Sequence, residues 1–548
     1  MKKLIAVLFL LHYAFLCEAQ TPYYDQTREG HLVFHPVRID ASGKILPWYS
    51  DEPGVAYDFV VNAVWTFWDT MRMDMNGLPY YMNHQVWRPI NDPRGAGGDQ
   101  FAMALSSWQL LYQYTGNEKI KENMKFIADY YMTHSLSPAS SKWPHLPYPY
   151  NTMLYSGIYD GDMVIGRDYT QPDKAGSFAW ELIKLYKITR NENYLRQAIN
   201  IANTLAKYTV AGDRDRSPLP FKVNAITGET GSLKSNRGTG AVEAKSEYTT
   251  NWAGTMELFL ALTEMKKGQP AQYQVAFNKI LAWMKTYPIK NNRWGPFFED
   301  IPGWSDTQIN AVTWARFIME HKKLFPEWKK DVRGILDWVY QKLGNEQWKQ
   351  YGGLKVVNEQ TAYLTPGNSH TSRQAAAELL YAALTGDTTN EELAVRQLNW
   401  ATYMVDKDGK NNYPRDEVWL TDGYGDYVRH YLNAMAAVPE LAPSNSNHIL
   451  HSTSIVTQAD YHPNFNKRLV PDVKKEEINQ VAIYYRTFDS DATETIRLTK
   501  KPSRITVNKK DVQEVQDPSQ EGWRWKPLSK GGILVIRHTT GNTITVYQ

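Results

Sequence analysis

The chain reads as a closed ring of two concentric helical layers, an (α/α)6 toroid, followed by a small antiparallel β domain. Three observations predict this. A unit of long aromatic loop, apolar alanine-rich helix, short turn and more polar helix recurs six times. Starts of successive apolar helices lie 77, 77, 54, 66 and 54 residues apart, which is a hairpin plus a loop of variable length. Near Pro439 the helical period gives way to short alternating runs of β type.

The apolar helices are predicted over 97–114, 174–188, 251–265, 305–321, 371–384 and 425–438. In the first, Phe101, Ala104, Leu105, Trp108, Leu111 and Tyr112 keep helical spacing, and Ala and Ser fill much of the remaining circumference. A helix apolar nearly all round is buried on both sides, as an inner-ring helix must be. The partners are predicted over 55–71, 119–134, 193–208, 271–287, 328–343 and 391–404, each with one apolar stripe and one charged face. The first of them closes the ring against the last inner helix. Turns from inner to outer helix are tight (Thr115-Gly116-Asn117, Thr189-Arg190-Asn191, Thr385-Gly386-Asp387), whereas the return loops are long and rich in His, Tyr, Trp, Asp and Arg. The chemistry is therefore expected on one mouth of the ring.

Pro439, Pro443 and Ser444-Asn445-Ser446-Asn447 read as a linker. Beyond it, runs such as Val481-Ala482-Ile483-Tyr484-Tyr485 and Ile533-Leu534-Val535-Ile536 alternate between turns and predict a small sheet or sandwich that caps the ring. Trp523 and Trp525 in this part read as packing residues. The expected division is a leader over 1–19, the toroid over 20–442, a linker over 443–475 and the β domain over 476–548.

The leader is inferred from Lys2-Lys3, an apolar run over 4–11 and the small-residue exit Cys17-Glu18-Ala19, and it predicts export to the periplasm, cell surface or medium. Cys17 is the one cysteine, so the mature chain would have no disulfide and no thiolate-bound metal. A net charge of +3 without any basic run argues against nucleic acid, and no second apolar run is long enough to span a membrane. Aromatic residues make up 13% of the chain, with 19 Trp and 35 Tyr, and such side chains pair an apolar face with a polar edge that suits a sugar ring.

Each return loop delivers polar residues to the start of an inner helix. The candidates are Asn83, His84 and Arg88 before Asp99 and Gln100; Tyr159, Asp160, Asp162, Arg167 and Tyr169 before Asp173; Trp252; Trp304 with Asn310; His370 and Arg373; and Asp422 with Tyr424. Asp99, Asp173, Ser305, Ser369 and Asp422 also read as helix N-caps. His430, inside the last inner helix, reads as a packed histidine. His84 and His370 sit in polar loops beside Arg88 and Arg373, which couples a proton-transfer group to a carboxylate-gripping one. Asp160 and Asp162 would suit calcium; zinc is disfavoured, and the chemistry requires no cofactor.

Gly97-Gly98-Asp99-Gln100-Phe101, Tyr159-Asp160-Gly161-Asp162, Pro172-Asp173-Lys174-Ala175-Gly176-Ser177 and Asn368-Ser369-His370 resemble the (α/α)-toroid polysaccharide lyases of gut Bacteroidetes. The nearest match is the L-rhamnose-α-1,4-D-glucuronate lyases of polysaccharide lyase family 27. The resemblance implies β-elimination on a uronic-acid-containing glycan of the arabinogalactan type, attacked at chain ends. Such a reaction needs a charge sink (Arg88 or Arg373, helped by Asn83 or Gln100), a base (His370 or His84) and an acid (Tyr159, with Tyr424 second). Trp252 and Trp304 would be stacking walls, with Asp99, Arg167, Tyr169, Asn310 and Asp422 as further substrate contacts. One alternative is a toroid hydrolase of the unsaturated uronyl type, using Asp99 and Asp173 as its carboxyl pair. Another is a non-catalytic glycan-binding protein.

Overall fold

A computed structural model of the 548-residue chain describes residues 35–548 except 72, 75, 83–98, 154–155, 163, 234–243, 299–303, 412–420, 462–472 and 518. Twelve long helices alternate between two layers. The inner helices are α2 (Asp99–Thr115), α4 (Pro172–Thr189), α6 (Ala253–Glu264), α8 (Gln308–Glu320), α10 (Asn368–Thr385) and α12 (Thr421–Ala437). The outer ones are α1 (Pro53–Asp69), α3 (Glu118–His134), α5 (Glu192–Tyr208), α7 (Pro270–Thr286), α9 (Trp328–Leu343) and α11 (Glu391–Thr402). Every inner helix packs on the next, α12 returns to α2, and α1 packs on α12 and α11, so the ring closes as the sequence predicts.

Local chemistry explains the tight turns. Gly116 and Gly386 adopt φ of 68° and 78°, the left-handed conformation that ends a helix with least strain in glycine. Asn117 and Asn191 then cap the outer helices, accepting from the Lys119 and Asn193 backbone N–H groups at 3.1 and 3.0 Å. The closing seam depends on close approach: a Cβ at Gly425 would stand 2.8 Å from the backbone nitrogen of Ala104. Ser107 donates its hydroxyl to the Gly425 carbonyl across the same seam.

The C-terminal module is two packed antiparallel sheets. Its strands are β1 (His448–Ser452), β2 (Val456–Tyr461), β3 (Val481–Thr487), β4 (Ala492–Leu498), β5 (Arg504–Val507), β6 (Lys510–Asp511), β7 (Gly522–Pro527), β8 (Gly532–His538) and β9 (Thr543–Tyr547). One sheet has the order β1-β4-β8-β7 and the other β2-β3-β9-β5-β6. β1 and β2 lie within the stretch read as linker, where His451, Gln458 and Asp460 hide the alternation. Trp523 packs into the sandwich core with its indole N–H on the Val512 carbonyl at 3.0 Å. The module docks on the C-terminal end of α2. His448 stacks on Tyr114 at 3.8 Å, and the Tyr461 hydroxyl donates to the Gln113 carbonyl at 2.5 Å. Among the described residues no helix is long and apolar enough to cross a membrane.

Candidate functional site

All six inner helices point the same way, so their first turns surround one mouth of the ring. A cavity of about 550 Å³ runs down the axis from there. Asp99, Asn251, Phe297, Arg373 and His430 line its upper part, while Arg316, Glu320, His321, Ser452 and Thr453 line the far end. From Asp99 to Leu110 the wall of α2 descends eleven residues, roughly 16 Å of axis at helical rise.

A charged cluster is built between α8, α10 and α12 at the upper wall. Arg373 donates one guanidinium nitrogen to Gln308 Oε1 at 2.5 Å and the other to the Asp426 carboxylate. Arg429 Nε donates to the second oxygen of Asp426 at 2.8 Å, and His430 Nε2 stands 3.2 Å from that oxygen. Burial would raise the Asp426 carboxyl, but Arg373, Arg429 and His430 hold it well below the usual carboxylate range. Two guanidiniums thus share one carboxylate beside the cavity. Burial first, and the nearby Arg373 guanidinium with it, push the His430 and His370 imidazoles down to about 3. Both rings are therefore neutral near pH 7.

The opposing wall comes from α2 and α4. Burial raises the Asp99 carboxyl above the ordinary aspartate range against the pull of Lys174. Burial likewise raises Asp173. Asp173 accepts from Asn251 Nδ2 at 3.0 Å, and the Lys174 ammonium lies 3.7 Å away while donating to the Phe297 carbonyl at 3.0 Å.

The structure sorts the sequence candidates. Asp99, Arg373 and His430 line the cavity. His370 occupies the first turn of α10 rather than a loop, buried behind the wall with its Nδ1 lacking a hydrogen-bond partner and its ring 6.4 Å from Phe298. Asn83, His84 and Arg88 lie outside the described residues, as do the side chains of Asp422 and Tyr424 in the first turn of α12. Gln100 is buried in the first turn of α2.

Several readings are corrected. Tyr159 is a core residue packed on Phe101 and Tyr131; its hydroxyl donates to the Met82 carbonyl, and burial raises it well above the ordinary tyrosine range. That removes it as the acid. Trp252 is fully buried with its N–H on the Thr249 carbonyl at 2.8 Å, so it offers no stacking face. Asn310 is buried and donates to the carbonyls of Trp294, Gly295 and Pro296, bracing a loop rather than a ligand. Asp160 accepts from Thr152 and from Arg167 Nε at 3.1 Å; Asp162 accepts from Lys222 Nζ at 2.9 Å, from Gln171 and from two backbone N–H groups. An ammonium and a guanidinium stand where a calcium ion was expected, and among the described residues no His, Cys, Asp and Glu cluster is arranged for a metal. Arg167 and Tyr169 lie away from the cavity wall. Trp304 is 42% exposed, against Tyr248 and beneath Arg293 at 4.2 Å, and does not line the cavity.

The N-cap readings also change. Gln171, Thr307 and Gly367 precede α4, α8 and α10, none caps with its side chain, and Asp173 and Ser369 lie inside the helices. Sequence reasoning missed Asp426, Arg429 and Gln308, and read His430 as packing. The signal was present: Asp426, Arg429 and His430 at i, i+3 and i+4 form one polar stripe on a helix otherwise apolar enough to be buried.

No family model matches the chain, and no curated protein matches it. Solved structures do. Cellobiose 2-epimerase from Bacillus thermoamylovorans B4167 is similar at 15% identity and a TM-score of 0.52, over 70% of this chain and 100% of that one. Cellobiose 2-epimerase from Spirochaeta thermophila DSM 6192 is similar at 14% identity and a TM-score of 0.51, over 70% and 96%. A polysaccharide lyase follows at 12% identity and a TM-score of 0.42, over 69% and 96%. At such identities the likeness establishes the toroid and no activity.

Proposed function

We propose that the chain is an exported carbohydrate-active enzyme that cleaves a bond to a uronic acid by β-elimination. The observation that carries this reading is the neutral His430 at a cavity wall, flanked by two guanidiniums on one carboxylate. Guanidiniums of this kind suit a uronate carboxylate, whose neutralisation makes the adjacent C5 proton removable. His430 takes that proton, and Asp426 stabilises the imidazolium that forms. The C5–H electron pair becomes the C4=C5 double bond, the C4–O bond breaks, and Asp99, a cavity-wall carboxyl whose hold on a proton is strengthened by burial, is the group that gives a proton to the departing sugar oxygen. The acid and base are thus reassigned from Tyr159 and the loop histidines to Asp99 and His430. His370 stands one layer back. The loop-built mouth suits attack at chain ends, and a rhamnose-capped glucuronate glycan is the first substrate to test.

The carboxyl-pair hydrolase is less well supported, because Asp173 does not line the cavity that Asp99 lines. Two neutral histidines close enough to influence one another favour a second reading, proton exchange at a sugar carbon without bond cleavage. Incubation with the rhamnosyl-glucuronate glycan separates these outcomes. Elimination releases rhamnose and leaves an ultraviolet-absorbing unsaturated uronate. Rhamnose without the chromophore means hydrolysis, and deuterium uptake from heavy water without cleavage means epimerisation. His430→Ala should abolish elimination; full activity in that variant overturns the assignment.

A further inference from the structure

The far end of the axial cavity differs in chemistry from its mouth. Its wall carries three acid–base pairs, each closed on itself. Glu181 Oε1 accepts from Lys184 Nζ at 2.8 Å, Glu257 Oε1 lies 2.6 Å from His321 Nε2, and Arg316 Nε donates to Glu320 Oε1 at 2.7 Å. Each carboxylate there faces a base of its own, unlike the upper wall, where one carboxylate serves two guanidiniums. Trp180 adds an aromatic surface to the same wall, with the Lys184 ammonium 5.0 Å from its ring centroid.

One carboxylate oxygen of this wall lacks a hydrogen-bond partner among the described residues. Glu181 is 6% exposed and lines the cavity, yet its Oε2 makes no hydrogen bond. Burial raises its carboxyl above the ordinary glutamate range. A buried oxygen of this kind costs free energy until a donor reaches it. Strand β1 closes the base with Ser452, whose hydroxyl is fixed by donation to Glu494 Oε1 at 3.0 Å, and with Thr453 beside it. Paired charges, hydroxyls and one indole face suit a ligand rich in hydroxyl donors and free of net charge.

We infer that the base of the axial cavity is a binding site for a neutral sugar residue, held by a hydroxyl on Glu181 and by contact with Trp180. The site is independent of the reaction at the mouth; if elimination occurs there, the base is where the departing neutral sugar lodges. The module would then complete a ligand site as well as brace the ring.

The test is binding without turnover. The full chain is titrated with methyl α-L-rhamnopyranoside, methyl β-D-galactopyranoside and, separately, D-glucuronate, by calorimetry and saturation-transfer NMR. A neutral glycoside should bind saturably, and Glu181→Gln should weaken it at least about tenfold while glucuronate binding holds, as loss of a charge-assisted bond requires. Trp180→Phe keeps the packing and should weaken the same probe, which serves if Glu181→Gln does not fold. Saturable, Glu181-dependent binding to a protein that eliminates nothing would support this inference and refute the reaction. Failure of both neutral glycosides to bind, or unaltered binding in both variants at wild-type helicity, would overturn it even in an active enzyme.

Discussion

The Asp426 carboxylate on the last inner helix accepts from the Arg373 guanidinium on the inner helix before it, and both side chains are buried. The pair joins α10 to α12 directly beneath the mouth. Asp426 also holds Arg429 and His430, so one acidic side chain organises three basic groups at the upper wall of the cavity.

That arrangement makes the two partners unequal. Asp426→Asn removes the carboxylate that both guanidiniums share, and loss of one partner from a buried pair costs about 3–5 kcal/mol. Arg373→Ala leaves Asp426 still paired with Arg429 and should cost clearly less, while removing the charge sink and with it activity. Urea denaturation of both variants checks the order. Equal losses would mean that Asp426 does not organise the cluster.

Acid should act through the two buried histidines. Their folded values of about 3 lie below the ordinary imidazole value of 6.5, so between these limits the unfolded chain binds protons that the folded chain refuses. Stability is full above 6.5 and falls as the pH drops towards 3, at up to about 1.4 kcal/mol per pH unit for each ring. Denaturation from about pH 7 to about pH 4 should show this slope, reduced in His430→Gln. The base stays neutral across the same window, so activity should show no limb near 6.5. A sharp loss of activity at that pH would refute the depressed value.

The ring was legible because hairpin recurrence and helical period are properties of the sequence itself. The inner helices fall within a few residues of the predicted spans, and the tight turns carry their own signals in Gly116, Gly386, Asn117 and Asn191. The site was legible only in part. Arg373 and Asp99 are found because they stand at predicted helix starts. Gln308 acts through Arg373, 65 residues away, which no local pattern encodes, whereas Asp426 carries a local signal in its stripe with Arg429 and His430, which reads as packing. Tyr159 and Asn310 look like mouth residues in sequence, yet tertiary packing turns their polar groups onto the Met82, Trp294, Gly295 and Pro296 carbonyls.

Asp162 gives a prediction about metal. Lys222 and Asp162 are both fully buried, and the ammonium reaches both carboxylate oxygens, at 2.9 and 3.1 Å. Stripping divalent cations with a chelator should leave the melting temperature and activity unchanged. Lys222→Met, which abandons the carboxylate in the interior, should destabilise the fold by about 3–5 kcal/mol. A chelator-induced drop in melting temperature restored by calcium would reverse this reading.

The β module should respond to pH in the opposite sense to the histidines of the mouth. His538 and Glu494 are fully buried 3.2 Å apart, and Glu494 also accepts from the Tyr485 hydroxyl at 3.0 Å and from Ser452. Burial alone would lower the His538 imidazole, but Glu494 overcomes it, and the second ring nitrogen lies 2.7 Å from the Ser490 carbonyl, so the net shift is upward. A folded value above the ordinary 6.5 means that the folded state holds the proton more tightly. This contribution is complete below 6.5 and disappears as the pH rises through the folded value. His321, raised by Glu257 at the base of the ring, acts in the same sense, so the comparison must be made between variants. Glu494→Gln should be less stable than wild type near pH 6, and the difference should narrow as the pH rises through the folded value of His538, where the wild type loses its ion pair. Thermal melting of both proteins across that range checks it. A difference that stays constant with pH would show that Glu494 stabilises the module through its hydroxyl partners and not through His538.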